Sequence, residues 1–265
     1  MGNTQMSPHF NEKRRATLNG ARSLAVYTLA LLTLSLGVAA EVSAQAKYSR
    51  TFRPRKTVNL ELVNHTGSIE VEGWERNEVK VSATMEQPAA RFTPTESGDT
   101  LSINVERDNP HRYDLGDVNF RIQVPYESTV NVQTMQGNIS IRNVRGSMVR
   151  AYISLDGDID LTGIRAAKVS AETKTGNVFF DAELLRGGIY NLKSAQGELN
   201  LRINAGSGFT LTASAPRTRS INLGGFAAMG HFDWRDRRKV TGKVGDGGAT
   251  LYTTNMRGTI SVTPR

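Results

Sequence analysis

Cysteine is absent from all 265 residues. That excludes a disulfide framework, a thiolate zinc site, an iron–sulfur cluster, a cysteine nucleophile and a lipid-modified N-terminal cysteine. Aromatic residues are scarce at 7%, and the two tryptophans, Trp74 and Trp234, stand in different segments, so no aromatic platform for sugar stacking is visible. The four histidines, His9, His65, His111 and His231, show no His-x-His or His-x-x-x-His spacing, and no metal site is expected from them. A Gly-x-Ser-x-Gly elbow and a Gly-x4-Gly-Lys-Ser/Thr phosphate loop are both missing. Apolar residues make up 38%, below the globular average but well above the level of a disordered chain.

What is present first concerns address. A basic stretch carries Lys13, Arg14, Arg15 and Arg22, an uncharged apolar run extends from Leu24 to Ala40, and small residues follow at Val42-Ser43-Ala44 and Ala44-Gln45-Ala46. This is the pattern of an export signal with an A-x-A-like cleavage site. The alternative is a retained anchor, although 17 apolar residues are at the lower limit for a span. Without residues 1–44, the 33 basic and 25 acidic residues fall to 29 and 23, so the net charge of +8 becomes +6 and the basic balance belongs to the mature chain. No later apolar run is long enough for a membrane-spanning helix.

A short unit then repeats: glycine, a polar residue, and two apolar residues separated by one position. It occurs at Gly137-Asn138-Ile139-Ser140-Ile141, Gly157-Asp158-Ile159-Asp160-Leu161, Gly176-Asn177-Val178-Phe179-Phe180 and Gly197-Glu198-Leu199-Asn200-Leu201, with glycine spacings of 20, 19 and 21. Outlying copies begin at Gly67 and Gly258, and Arg219-Ser220-Ile221-Asn222-Leu223 is a degenerate copy. Alternation places Ile139, Ile159, Val178 and Leu199 on one strand face and leaves Asn138, Asp158, Asn177 and Glu198 outward. Counting back from each glycine predicts a column of small hydroxyls, Thr134, Ser154, Thr173 and Ser194, and an apolar column, Val132, Tyr152, Ala171 and Leu192. No unit can bury its apolar face alone, so stacking must supply the stability. The expected fold is all-β: a β-solenoid with coils of about 20 residues and two or three strands each, preceded by a less regular β part. An antiparallel β-sandwich is the alternative.

The expected organisation is a signal or anchor at 1–44, a basic segment at 45–56, and one domain at 57–265. That domain divides into a repeat core at 125–223, a glycine-rich insertion at 224–250 and a closing unit at 251–262. The charged stretch 106–117, with Asn109-Pro110, reads as a loop.

Four features resemble a large group of bacterial envelope proteins known as the "putative adhesin" or adhesin-head-like family. They are Val63-Asn64-His65-Thr66-Gly67-Ser68-Ile69-Glu70-Val71 followed by Val79-Lys80-Val81; Val124-Pro125 entering Asn131 to Ile139; the run of Thr/Ser-x-x-Gly-x-Ile/Val units; and Gly245-Asp246-Gly247-Gly248 with Thr250 to Thr254 and Gly258-Thr259-Ile260. The likeness covers roughly residues 57–262. It implies an exported, solenoid-like protein with no assigned catalytic residues, and its motifs specify fold rather than activity.

Residue by residue, catalysis finds little support. Asp156, Asp158 and Asp160 have the opening spacing of a calcium loop, but Leu161 replaces the required glycine and Ala167 the closing glutamate. Glycoside cleavage needs paired carboxylates in a cleft; Asp156, Asp158, Asp160, Glu172 and Glu198 are predicted to lie on solvent-facing strand positions. Gly67, Gly137, Gly157, Gly176, Gly197 and Gly258 are structural repeat glycines, and no catalytic, cofactor or metal residue is assigned. The most suggestive binding feature is basic. Trp234-Arg235-Asp236-Arg237-Arg238-Lys239 concentrates four positive charges, and Lys47, Arg50, Arg53, Arg55 and Lys56 form a second patch. Outside the cytoplasm the fitting partners are an anionic envelope surface or an acidic polysaccharide rather than nucleic acid. The expectation is a non-catalytic adhesin-like binding or scaffold protein of the envelope, periplasmic or at the cell surface, monomeric or weakly associating. The alternatives are a periplasmic accessory or sensing domain of a regulatory system, and a polysaccharide-active β-helix enzyme.

Overall fold

Alternating apolar residues along nearly the whole described chain produce strands, and these stack into two facing sheets. The computed structural model describes residues 1–2, 46–54, 57–86, 90–107, 111 and 116–265. The expected export segment, His9, Arg55, Lys56 and Asn109-Pro110 lie outside these residues. The chain from Gln45 to Arg265 forms one compact unit, distinct from Met1–Ala44.

Its strands are β1 (Ala46–Phe52), β2 (Asn59–Val63), β3 (Ile69–Trp74), β4 (Val79–Met85), β5 (Ala90–Phe92), β6 (Thr95–Ser97), β7 (Thr100–Arg107) and β8 (Val118–Pro125). The repeats follow as β9 (Thr129–Gln136), β10 (Ile139–Arg142), β11 (Met148–Asp156), β12 (Ile159–Ile164), β13 (Lys168–Thr175), β14 (Val178–Ala182), β15 (Ile189–Gln196) and β16 (Leu199–Ile203). The last part holds β17 (Phe209–Ser214), β18 (Ile221–Asn222), a single helical turn α1 (Phe226–Met229), β19 (Gly230–Arg235), β20 (Lys239–Val244), β21 (Ala249–Arg257) and β22 (Ile260–Pro264). Among the described residues no helix is long and apolar enough to cross a membrane.

Each coil gives one strand to each sheet. The first sheet runs β1-β4-β8-β3-β10-β12-β14-β16-β22-β18, the second β19-β20-β17-β21-β15-β13-β11-β9-β2-β7-β5. Pairing between coils is parallel and in register, as in Ile139↔Ile159, Ile159↔Val178 and Val178↔Leu199. The fold is therefore a β-solenoid with two strands per coil. Sequence order and stacking order differ at both ends. The β2–β3 coil lies between β7–β8 and β9–β10, and the β21–β22 coil slides between β15–β16 and β17–β18. Antiparallel strands close each end: β1 and β4 beside β8, and β20 and β19 beside β17. The stretch 224–250 expected as an insertion contains α1 and the β19–β20 hairpin.

The core is a narrow seam between the sheets, in which Val132, Ala151, Ala171 and Leu192 form one column and Ile141, Leu161, Phe180 and Leu201 another. This corrects both expected columns at one position each. Ala151 and Ile153, not Tyr152 and Ser154, face inward, because the β11 register shifts between Ile153 and Asp156. A β-bulge adds one residue before Gly157, so counting back from the glycine misses the alignment by one.

The glycine corners are set by close approach. A Cβ on Gly157 would lie 2.2 Å from the Gly137 carbonyl oxygen, one on Gly176 2.1 Å from that of Gly157, and one on Gly197 2.1 Å from that of Gly176. The small polar side chain three residues before each coil's glycine bonds the carbonyl of the neighbouring coil's glycine: the Thr173 hydroxyl donates to Gly157 O at 3.0 Å, Ser194 to Gly176 O at 2.9 Å, and the buried Asn255 amide to Gly197 O at 2.8 Å.

Candidate functional site

Outward-facing residues just after the glycines are structural rungs. Asn138 Oδ1 accepts from the Asp158 N–H, Asp158 Oδ1 from the Asn177 N–H, and Asn177 Oδ1 from the Glu198 N–H, at 2.9, 2.6 and 2.9 Å. The Asp158 carboxylate is thus engaged with the next coil. Asp160 accepts from the Thr162 hydroxyl and lies 3.8 Å from Arg142, and Glu172 lies 3.9 Å from Lys193. Among the described residues no group of three or more His, Asp or Glu side chains has the arrangement to hold a metal. The Gly245–Gly248 stretch is the turn joining β20 to β21, where Asp246 accepts from Gly248 N–H and pairs with Arg186 at 3.0 Å.

The basic segment is different. Phe232 on β19 lies across Gly230 and Gly242, where added Cβ atoms would come within 2.7 and 2.2 Å of its ring. That contact packs the β19–β20 hairpin on itself, and the pairing of β20 with β17 fixes it on the end of the solenoid. Its turn puts Asp236 at φ 49° and Arg237 at φ 56°, both in the left-handed region. Arg238 N–H donates to Arg235 O at 3.0 Å, and Arg238 O accepts from Ala215 N–H at 2.7 Å. The second bond ties the hairpin tip to the end of β17, and the chain there turns through Arg217 and Arg219, with Arg219 at φ 59° and its N–H on Ala215 O at 3.0 Å.

The fold therefore gathers more charge than the sequence run showed. Arg235, Arg237, Arg238 and Lys239 are joined by Arg217 and Arg219, and all six are exposed. Asp233, 4.0 Å from Arg235, and Asp236 are the carboxylates of the hairpin. The corner thus carries a net charge of +4. A net positive corner of this kind acts on an approaching anion over about one Debye length, ~8 Å at physiological salt. The second expected patch does not join them. Lys47 and Arg50 lie on β1, at the opposite end of the stack, where Arg50 sits 4.8 Å over the Phe52 ring. Arg217 and Arg219 carried a weak signal in sequence, an Arg-Thr-Arg after Pro216, but their place beside the hairpin depends on the β17–β20 pairing.

Comparison with known proteins places the chain. The Toastrack DUF4097 family pattern matches residues 58–216. The chain belongs to that family. Solved structures with a similar chain path include a putative cell adhesion protein from Clostridium sporogenes, 9% identical, covering 83% of this chain and 100% of that one with a TM-score of 0.48. A putative adhesin from Bacteroides fragilis is 9% identical, with 84% and 99% covered and a TM-score of 0.34. A putative lipid binding protein from Parabacteroides distasonis is 11% identical, with 83% and 96% covered and a TM-score of 0.32. No curated protein matches the chain. The Toastrack match ends at residue 216, so the basic hairpin lies beyond the matched part.

Proposed function

We propose that this Toastrack protein is an exported, non-catalytic binding module of the bacterial envelope, which contacts polyanionic surfaces through its basic corner. The observation that carries this reading is the gathering of six exposed cations against two carboxylates at one end of a rigid stack. The N-terminal charge and hydropathy pattern supports export, with residues 1–44 as the segment removed. The regular coils act as a spacer that holds the corner in a fixed orientation, and the carboxylates along them serve as rungs and ion pairs rather than as acid and base.

The test is replacement of Arg235, Arg237, Arg238 and Lys239 together by glutamine. At about 1 kcal/mol per cation near an anionic surface, affinity for acidic polysaccharide or anionic vesicles in low salt falls by roughly several hundred-fold, while the melting temperature stays within a few degrees. Unchanged binding overturns the reading. Fractionation of cells carrying a tagged full-length chain tests export, and recovery in the cytoplasm alone contradicts it.

A further inference from the structure

The corner carries one feature that charge does not account for. Trp234 is the next residue after Phe232 on the same face of β19, and it pairs with the buried Val240 on β20. Phe232 is packed against the core, but Trp234, nearer the hairpin tip, stays 45% exposed. An indole is large, apolar over most of its surface and polar at one N–H, which suits it to the boundary between water and hydrocarbon. Here it stands beside Arg235 and within a few residues of Arg237, Arg238 and Lys239. A soluble polyanion would use the cations and leave the indole in water. A bilayer bearing anionic headgroups uses both, because the cations meet the phosphates and the ring enters the interfacial layer.

Resting on the polyanion-binding reading above, we infer that the partner of this corner is an anionic lipid bilayer, into whose headgroup layer the β19–β20 hairpin enters tip first with Trp234 as its anchor. Backbone accounting limits the depth. At the tip, Arg238 N–H and C=O are both bonded within the protein. β19 ends its sheet, so its outer edge keeps backbone groups that need water or headgroup partners. The hairpin therefore reaches the headgroups and stops short of the acyl core.

The experiment uses the chain with Trp74→Phe, which leaves Trp234 as the single tryptophan. The probes are vesicles of phosphatidylglycerol and phosphatidylcholine, pure phosphatidylcholine vesicles, and soluble polyphosphate. The expected result is a blue shift of Trp234 emission and quenching by brominated lipid on the anionic vesicles, reversed by high salt. Trp234→Ala in the otherwise native chain lowers vesicle partitioning about fivefold, the effect of withdrawing roughly half of a large apolar side chain from water. Because the side chain is exposed, unfolding is not expected, and far-ultraviolet dichroism checks this. Binding to polyphosphate and vesicles alike, with unshifted emission and no effect of Trp234→Ala, overturns the bilayer inference and leaves the polyanion reading standing. Binding to neither probe overturns both.

Discussion

The stack's weakest tolerance is at its glycine corners, and Gly176→Ala measures it. Gly176 has φ 140°, and a Cβ there would stand 2.1 Å from Gly157 O and 2.6 Å from Gly157 C. Both contacts are backbone, so no side chain can swing aside. The two coils must separate by about 1 Å to reach an ordinary contact, which weakens three bonds crossing this corner: Gly157 N–H to Thr175 O at 2.9 Å, Asn177 N–H to Asp158 Oδ1 at 2.6 Å, and the Thr173 hydroxyl to Gly157 O at 3.0 Å. At about 1 kcal/mol each, with about 1–2 kcal/mol for an alanine held at positive φ, the expected loss is about 4–5 kcal/mol. Gly187→Ala is the control, since Gly187 has φ 75° but nothing within 4 Å of the added Cβ. It should lose the conformational part alone, about 1–2 kcal/mol. In urea unfolding followed by dichroism, with a slope of about 3 kcal/mol per molar, the midpoints fall by about 1.5 M and about 0.5 M respectively. Equal shifts for the two variants would show that close approach between coils does not set these corners, and the account of the repeat would fail.

Two other perturbations test the corner bonds and the buried hydroxyl. Asn255 is fully buried, with its amide donating to Gly197 O and Thr259 O and its Oδ1 accepting from Arg257 N–H. Asn255→Ala should therefore cost about 3 kcal/mol against about 1 for Ser194→Ala, and equal urea midpoints would contradict the assignment. Tyr190 is fully buried between Ala166 O and Leu185 N–H, and burial, with a smaller push from the Glu183 charge, raises its pKa above 10.0 against the lowering effect of the Leu185 bond. The native state then holds this proton more tightly than the unfolded chain, so its contribution is full below pH 10 and is lost as pH rises through the raised value. Tyr190→Phe should be less stable at neutral pH but lose less stability on going above pH 10, and parallel stability–pH curves for the two proteins would refute this.

How much of this was legible depended on whether information was local. The glycine period placed the coil length, because each coil must return the chain to the same corner. The inward sets of β10, β12, β14 and β16 follow directly from alternation. The bulge before Gly157 was hidden, since an added residue leaves composition and glycine spacing nearly unchanged. The intercalation of β21–β22 between β15–β16 and β17–β18 was hidden for another reason. Residues such as Ile260 satisfy Leu199 and Ile221 equally well, so the repeat pattern does not say which neighbours a coil takes. β1 was read as a basic segment because Lys47 and Arg50 dominate its composition, yet it pairs along its whole length with β4. At the corner, four cations were contiguous in sequence and visible, whereas Arg217 and Arg219 join them only through long-range strand pairing.

The backbone of the corner gives a reason to treat its charge as selected rather than incidental. Among the described residues, four that are not glycine have φ in the left-handed region, and three of them, Arg219, Asp236 and Arg237, lie here. A hairpin turn of this geometry favours glycine at the second such position, and an arginine there costs about 1 kcal/mol or more. Gly157 and Gly176 show that the fold uses glycine where positive φ coincides with close packing. At Arg237 the side chain is exposed, so no packing need replaces the glycine, and what the arginine adds is a cation at the outermost point of the hairpin. Nine strand-to-strand steps of about 4.8 Å separate β1 from β18 at the hairpin's end of the stack, a distance of roughly 43 Å. The chain thus enters the solenoid at one end and presents its strained, cationic tip at the other. A surface held by that tip therefore meets the end of the stack opposite β1, and the intervening coils fix the separation.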